Sequence, residues 1–182
     1  PDRATAWAAL GYGGTRGIAT VGRIRPEKGT DHFVAAMIDL LPTLPDTTAL
    51  VIGRAAKSHQ SFLNDLKSRI AAAGLGDRIL FPGEVPAADL PALMRALSLV
   101  VQLPRYEGYG MVPLEGMASG VPFVGTDAGY YKAFTSAGTA GRIATPDAAA
   151  ATARSILTTG FDKMAQAARD TACTRFSAQA AA

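Results

Sequence analysis

Two glutamates, Glu107 and Glu115, are the first candidates for catalytic or ligand-binding side chains in this sequence, because they lie eight residues apart. If one continuous helix joined them, its rise over eight residues would separate their Cα atoms by ~12 Å, and intervening glycines favour no shorter path. Glycosidase carboxyls lie ~5 to 9.5 Å apart, so a hydrolytic pair is disfavoured. The spacing instead fits two acceptors that bind hydroxyls at opposite ends of one elongated ligand. The residues alone leave a second interpretation open, in which Glu115 complements a helix dipole and Glu107 is a solvated loop charge.

The stretch between these acids predicts an anion site at the start of a helix. Gly108 and Gly110 flank Tyr109, so the backbone can approach a ligand there without a Cβ in the way. Pro113 suits the first helical position, where a missing N–H costs nothing. Three N–H groups would then be unpaired donors at the positive end of the helix dipole: those of Gly110, Met111 and Val112. Such a site binds phosphate most simply.

A second loop, GRIRPEKG at residues 22–29, contains two cations, Arg23 and Lys28. It follows the apolar run 18–22 and precedes a helical pattern, as expected of a strand followed by a helix. Ligands of open α/β sheets bind at the carboxyl ends of the strands, so both cations would face the anion site. A guanidinium fork and an ammonium point charge both suit a diphosphate. The alternative is a pair of exposed loop cations.

The elements that must position these loops alternate between strands and helices about every 30 residues, which predicts an α/β fold with a doubly wound, Rossmann-like parallel sheet. The predicted strands are 18–22, 49–53, 79–82, 97–103, 121–125 and a short edge strand, 141–144. Residues 1–17 lack clear periodicity and are interpreted as a linker or a partial leading segment. Residues 18–177 form one predicted domain, and 178–182 a truncated C-terminal tail.

Composition excludes several other classes of protein. Of 182 residues, 48% are hydrophobic and 18% charged, which is typical of a folded domain. The net charge of +3 is small and its cations are scattered, so no nucleic-acid partner is expected. The sequence has neither a run of ~18 apolar residues nor a signal peptide, and it has a single cysteine, Cys173. These features predict a cytoplasmic protein without a disulfide or a thiolate metal site.

The segment EGYGMVPLEGMASGVPFVGTDAG resembles the E-x7-E block of the retaining group 1 glycosyltransferases, which have the GT-B architecture of two facing Rossmann-like domains. The resemblance implies that Glu107 contacts the transferred sugar and that Glu115 contacts the ribose. Backbone over residues 108–112, which includes Tyr109 and Val112, would hold sugar and phosphate. GRIRPEKG resembles the family's diphosphate-binding element, which implies that Arg23 and Lys28 hold the donor diphosphate and act in catalysis with Glu107.

The same resemblance implies weaker assignments around the nucleobase. Gly83, Glu84 and Val85 follow a predicted strand, at a loop that lies against the base in this family; the alternative is a plain turn. Arg54 ends the second strand and is a secondary candidate for a phosphate or base contact. Tyr130 and Tyr131 receive no role. Residues 22–33, 49–55 and 77–86 look most like those of bacterial lipopolysaccharide core mannosyltransferases, which favours GDP-mannose as the donor.

The resemblance implies that the chain is the C-terminal, donor-binding half of a retaining hexosyltransferase that uses a nucleotide-sugar donor. No cofactor is expected, and no metal is expected because the sequence has no D-x-D cluster. Its implied partners are an absent N-terminal GT-B domain with the acceptor site and a glycolipid acceptor such as lipopolysaccharide core. The intact enzyme could lie at the inner face of the bacterial membrane. The competing hypothesis is a non-catalytic nucleotide or phosphosugar binding module. An epimerase of the same fold would need an acid pair and usually a histidine, which this sequence does not offer.

Overall fold

A single six-stranded parallel sheet forms the centre of the protein, whose computed structural model describes residues 2–176. The strands are β1 (Arg16–Val21), β2 (Thr47–Ile52), β3 (Ile79–Gly83), β4 (Leu99–Gln102), β5 (Phe123–Gly125) and β6 (Gly141–Ile143). Their order across the sheet is β3-β2-β1-β4-β5-β6. This is the order of a doubly wound Rossmann sheet, so the predicted fold class is confirmed.

Helices cover both faces of this sheet. They are α1 (Arg3–Ala9), α2 (Thr30–Leu40), α3 (Gln60–Ala72), α4 (Leu90–Ala96), α5 (Met111–Ala118), α6 (Tyr131–Phe134), α7 (Ala149–Ser155) and α8 (Phe161–Arg175). A π-helical segment, Ile156–Gly160, joins the last two helices. The predicted tail at 178–182 and Ser177 lie outside the described residues.

Strand residues alternate between two apolar cores because successive side chains point to opposite faces of a sheet. Ile18 and Val51 face a core that α2, α3 and α7 complete. Ala19 and Leu50 face a second core, which α1, α4 and α5 complete. Every residue of β2 is buried, as expected for a strand covered on both faces.

Residues 1–17 are not an unstructured linker, because they contain α1 and the first residues of β1, whereas the alternative of a partial leading segment stays a prediction. A helix of seven residues is too short to be stable alone, so tertiary contacts must hold it. Trp7 is fully buried, and its Nε1 donates a hydrogen bond to the carbonyl of Gly13. Asp2 caps the helix by accepting from the Thr5 N–H at 2.9 Å. The burial of Trp7 therefore stabilises a helix that the sequence periodicity did not predict.

The arrangement places two loops at one crevice. β1 and β4 are neighbours in the sheet, yet the chain runs from β1 to β2 on one side and from β4 to β5 on the other. Strand order thus reverses between β1 and β4, and such a point leaves a crevice outside the carboxyl ends of the strands. The loop of Arg23 and Lys28 leaves β1 there, and that of Glu107 leaves β4.

Candidate functional site

An arginine from the β4 loop clamps the two loops together. Arg105 donates to both carboxylate oxygens of Asp31, at 2.8 and 2.7 Å, and its Nη1 also donates to the carbonyl of Pro26. The backbone N–H of Arg105 donates to the carbonyl of Glu27 at 2.9 Å. Planar guanidinium–carboxylate pairs fix orientation as well as distance. The loop after β1 is therefore held in register with the loop after β4.

Gly29 allows these loops to approach closely. Its φ of 65° lies in the left-handed region, and a Cβ at this position would lie 1.7 Å from the carbonyl oxygen of Leu103. Any other residue would push the loops apart. The glycine of the sequence segment EKG is thus needed for the geometry of Lys28, the residue before it.

Lys28 and Glu107 meet across the crevice. Lys28 Nζ lies 2.8 Å from Glu107 Oε2, and both side chains are partly buried. The other carboxylate oxygen, Oε1, accepts a hydrogen bond from the N–H of Gly108 at 3.0 Å. Glu27 does not pair with Lys28, and its side chain lies 3.7 Å from Arg25 instead. Two predicted catalytic residues are therefore in direct contact with each other.

The N-terminus of α5 opens onto the same crevice. Gly110 is its N-cap, with φ 109°, and offers no side chain to cap the helix. The N–H groups of the first turn are thus left for solvent or a ligand. Pro113 is the third helical residue rather than the first, and Glu115 lies in the second turn rather than the first. Gly110 has no Cβ penalty at positive φ, so the helix begins earlier than a proline-based prediction indicates.

These groups line a cavity of about 220 Å³ at the carboxyl ends of β1 and β4. Predicted site residues that line it are Lys28, Glu107, Tyr109, Gly110, Met111 and Val112. Lys28 and the first turn of α5 therefore share one side of the sheet, as predicted. The two predicted cations of the loop after β1 do not lie together, however. Arg23 is exposed and does not line this cavity.

Arg23 instead lines a second cavity, of about 520 Å³, with Arg54, Glu84 and Val85. The two cavities share Val21 and Gly22, at the end of β1. Arg54 and Glu84 form a loose, exposed ion pair at 3.6 Å. Gly83 ends β3, and its φ of 86° turns the chain toward these residues. The residues predicted around the diphosphate and the base thus divide into two adjoining cavities.

Glu115 is set apart from the other predicted residues. It lines neither cavity, and its side chain has no hydrogen-bond or ion-pair partner among residues 2–176. Its carboxyl is half-buried, and burial raises its pKa above the ordinary value for glutamic acid. The predicted ribose contact therefore stays a prediction.

Two residues of the smaller cavity, Gln102 and Tyr131, are absent from the sequence-based set. Gln102 is buried at the end of β4, and its Nε2 donates to the carbonyl of Val21 at 3.0 Å, which ties the two strands at the crevice. The signal was available, because Gln102 is a lone polar side chain inside the apolar run 97–103. Tyr131 is fully buried and begins α6. No motif marked it in the sequence.

The described residues contain no group of three or more His, Cys, Asp or Glu side chains placed to hold a metal ion. Within the same part of the chain, no helix is long and apolar enough to cross a bilayer.

A Rossmann sheet with an uncapped helix N-terminus and a loop that carries cations at its switch point is the arrangement typical of nucleotide-binding α/β domains. The model of the family "Glycosyl transferases group 1" matches residues 8–171. The chain belongs to the group 1 glycosyltransferase family.

Relatives agree with this assignment. The chain is 47% identical over 138 residues to the lipopolysaccharide core biosynthesis mannosyltransferase LpsB of Rhizobium meliloti, covering 75% of this chain and 39% of that protein. It therefore spans about two fifths of the length of this curated relative. The crystal structure of the C-terminal domain of a group 1 glycosyltransferase (LpcC) from Francisella tularensis superposes with a TM-score of 0.92 at 31% identity, covering 98% of this chain and 94% of that one. The predicted resemblance to a C-terminal GT-B domain is confirmed.

A further solved structure contains a nucleotide and a sugar. Anabaena HepE in complex with UDP and glucose superposes with a TM-score of 0.85 at 26% identity, covering 96% of this chain and 48% of that protein. The chain thus matches about half of the length of that structure.

Proposed function

We propose that this chain is the donor-binding domain of a retaining hexosyltransferase, which in the intact protein moves mannose from GDP-mannose to a glycolipid acceptor such as lipopolysaccharide core. The observation that carries the proposal is the 2.8 Å contact of Lys28 with Glu107 beneath the uncapped start of α5. A cation, an acid and free N–H groups lie in one cavity, which suits a sugar joined to a diphosphate. The larger cavity beyond Gly22 offers room for the nucleoside.

The proposed chemistry is charge stabilisation. The bond from the anomeric carbon to the diphosphate breaks, and the diphosphate leaves with the electron pair. Lys28, Arg23 and the start of α5 stabilise the negative charge that grows on the departing phosphate. Glu107 supports the positive charge that develops on the sugar ring. The acceptor oxygen bonds to the anomeric carbon on the face that the diphosphate leaves, which gives retention, and its proton passes to the departing phosphate oxygen.

Four further parts of the proposal rest on the resemblance, on the relatives and on the charges of the site. Mannose and a lipopolysaccharide acceptor are suggested by the likeness to LpsB. The acceptor site lies in an N-terminal domain outside this chain, which agrees with the 39% coverage of that relative. The donor diphosphate is held without a metal, because cationic side chains and helix N–H groups supply the charge. The intact protein works in the cytoplasm, at the membrane that holds its acceptor.

Calorimetric titration of the chain with GDP, UDP and ADP tests the donor assignment. GDP should bind at least tenfold more tightly than the other two, and EDTA should leave its affinity unchanged. Lys28→Ala should weaken GDP about 10- to 100-fold, since a hydrogen bond to a charged group is worth ~1.5–3 kcal/mol. Lys163→Ala is the matched control, because Lys163 is exposed on α8, outside both cavities.

Comparable weak binding of all three nucleotides would remove the GDP assignment, and loss of binding in EDTA would remove the metal-free mechanism. The competing non-catalytic binding module is tested with the full-length protein. A binding module would bind nucleotides but would release no GDP from GDP-mannose in the presence of a glycolipid acceptor.

A further inference from the structure

Tyr131 is held in a slot between two glycines at the edge of the smaller cavity. A Cβ at Gly110 would lie 2.2 Å from its ring, and a Cβ at Gly125 would lie 2.6 Å from it. Gly110 caps α5 and Gly125 ends β5, so the ring passes between two elements that build the crevice. The ring occupies space that any larger residue at either glycine would fill.

The position of the ring is fixed by aromatic neighbours. Phe123 packs edge-on against it, with ring centroids 5.8 Å apart, and Phe134 lies at 6.3 Å. Only 1% of Tyr131 is exposed, whereas its neighbour Tyr130 is 55% exposed. Close-packed aromatic rings in a core do not swing freely. The hydroxyl at the far end of the ring is therefore placed with little freedom.

This hydroxyl has no hydrogen-bond partner within residues 2–176, although Tyr131 lines the cavity with Lys28 and Glu107. The Tyr131 oxygen is not fully buried either. Among the described residues, the side-chain polar atoms that are fully buried without a hydrogen-bond partner are Arg25 Nε and Thr47 Oγ1, and the Tyr131 oxygen is not one of them. It therefore opens into the cavity. Solvent can satisfy the hydroxyl while the cavity is empty, but a ligand that displaces this solvent must offer the hydroxyl a polar group in its place.

The protonation state of this hydroxyl limits what it can bind. Burial first, and the negative charge of Glu107 second, raise the pKa of Tyr131 well above that of an ordinary tyrosine. The hydroxyl stays neutral at physiological pH, so it donates and accepts hydrogen bonds but is not a base. Such a group matches a neutral ligand hydroxyl better than it matches a cation.

We propose that the Tyr131 hydroxyl binds a hydroxyl of the transferred sugar and selects the donor sugar. The inference rests on the proposed function, because it needs a sugar nucleotide in the cavity. The sugar is the expected contact, since Tyr131 shares its cavity with Glu107, the acid assigned to the sugar. The nucleoside is not, because Tyr131 does not line the larger cavity beyond Gly22.

The test compares two tyrosines with two ligands. Tyr131→Phe keeps the ring and removes only the hydroxyl, and Tyr130→Phe is the matched control at the adjacent, exposed position. Binding of GDP-mannose and of GDP to each variant is measured by calorimetry. Tyr131→Phe should weaken GDP-mannose about three- to tenfold, the worth of one hydrogen bond, and should change GDP less than twofold. Tyr130→Phe should change neither.

The outcomes separate this inference from the proposed function. Wild-type chain that binds neither GDP-mannose nor GDP would overturn both. Wild-type chain that binds GDP-mannose while Tyr131→Phe binds it equally well would overturn only the role of Tyr131. An equal loss for GDP and GDP-mannose would place the hydroxyl on the phosphate, and so would also overturn it. The melting temperature of each variant checks that the ring packing is intact.

The sugar position that meets the hydroxyl can be found with deoxy analogues of GDP-mannose. The analogue that lacks the contacted hydroxyl should bind wild type and Tyr131→Phe equally, because the hydrogen bond is already gone. Every other analogue should still lose three- to tenfold in Tyr131→Phe. A loss of that size for all analogues would contradict a contact with a sugar hydroxyl.

Discussion

The two ends of the parallel sheet both carry arginines, and they use them differently. At the amino end, Arg78 donates to the carbonyls of Leu41, Leu44 and Thr47 at 2.5–3.2 Å. Arg3 likewise donates to the carbonyls of Arg95, Leu97 and Gly120. At the carboxyl end, Arg23 and Arg54 are exposed beside the larger cavity.

The difference lies in what the cations bind. Backbone carbonyls at the amino end cannot leave, so the guanidinium groups there are permanently committed and contribute to stability. Under the proposed function, Glu107 beside Lys28 would give up this cation to the more highly charged diphosphate. We therefore expect the amino end to hold the fold and the carboxyl end to exchange partners. Substitutions at each end test this difference between the two ends.

The largest expected effect is loss of stability in Arg78→Ala. The substitution removes the hydrogen bonds of the guanidinium group to three partly buried carbonyls, which should lower the free energy of unfolding by about 2–4 kcal/mol. Urea denaturation measures it. Arg23→Ala is the control and should change stability by less than about 0.5 kcal/mol, because Arg23 is exposed. Equal losses in the two variants would erase the contrast between the ends.

The clamp between the two site loops is the exception at the carboxyl end, since it should be structural. Burial acts to raise the pKa of Asp31, but the hydrogen bond and charge of Arg105 outweigh it and hold this pKa below its ordinary value. The stability that the pair contributes is present above pH ~4 and is lost as the pH falls through the lowered pKa. Both side chains are partly exposed, so solvent screening limits it to about 0.5–1 kcal/mol.

Asp31→Asn tests the clamp by urea denaturation at pH 7 and at pH 3. The variant should be less stable than wild type at pH 7, and the difference should shrink toward zero at pH 3. Asp39→Asn, at an exposed position of the same helix, should match wild type at both values. A difference between Asp31→Asn and wild type that does not change with pH would show that the ion pair is not its cause.

The sequence predicted the carboxyl end of the sheet better than the amino end. Glycines, prolines and charges around Arg23, Lys28 and Glu107 form a contiguous pattern, because a ligand site constrains neighbouring residues of one loop. The sheet was predictable for a similar reason, since β2 is a continuous buried run. The contacts of Arg3 with carbonyls more than ninety residues away leave no local pattern.

The misses share this physical cause. α1 depends on the burial of Trp7 against Gly17, where a Cβ would lie 2.0 Å from the indole. Tyr131 depends on two glycines that belong to other elements. In each case the decisive contact joins residues of different structural elements, so the periodicity within one element carries no information about it. The start of α5 was misplaced because positive φ at Gly110 allowed an earlier beginning than Pro113 indicated.

A smaller effect is expected from Glu107→Gln, in the opposite direction to a simple loss of binding. The substitution removes the charge that holds Lys28, so Lys28 no longer has to exchange partners when a nucleotide enters. The affinity for GDP should rise about threefold, which corresponds to the free energy of a partly exposed ion pair. The ratio of the affinity for GDP-mannose to that for GDP should fall, because the acid assigned to the sugar is lost. Calorimetry measures both. Weaker GDP binding would indicate that Glu107 does not compete for Lys28.

The smallest effect is expected at Glu115. Burial raises its pKa, so its charged form is disfavoured in the folded state and lowers stability as the pH rises above ~4.5. Glu115→Gln should therefore raise the melting temperature at pH 7 by about 1–2 °C, and the gain should vanish near pH 4, where the carboxyl is protonated in both states. Glu84→Gln, at an exposed position, is the control.

Glu115→Gln can also be tested for GDP binding. A variant that is more stable but binds GDP more weakly would show that this unpaired, partly buried carboxylate lowers stability and is kept because it binds the ribose hydroxyls. Stability and function oppose each other at such positions. At the amino end they do not, and Arg78→Ala should lower stability without changing the GDP affinity of the folded protein. A loss of stability in Glu115→Gln at pH 7 would instead give this carboxylate the same structural role as the arginines at the amino end.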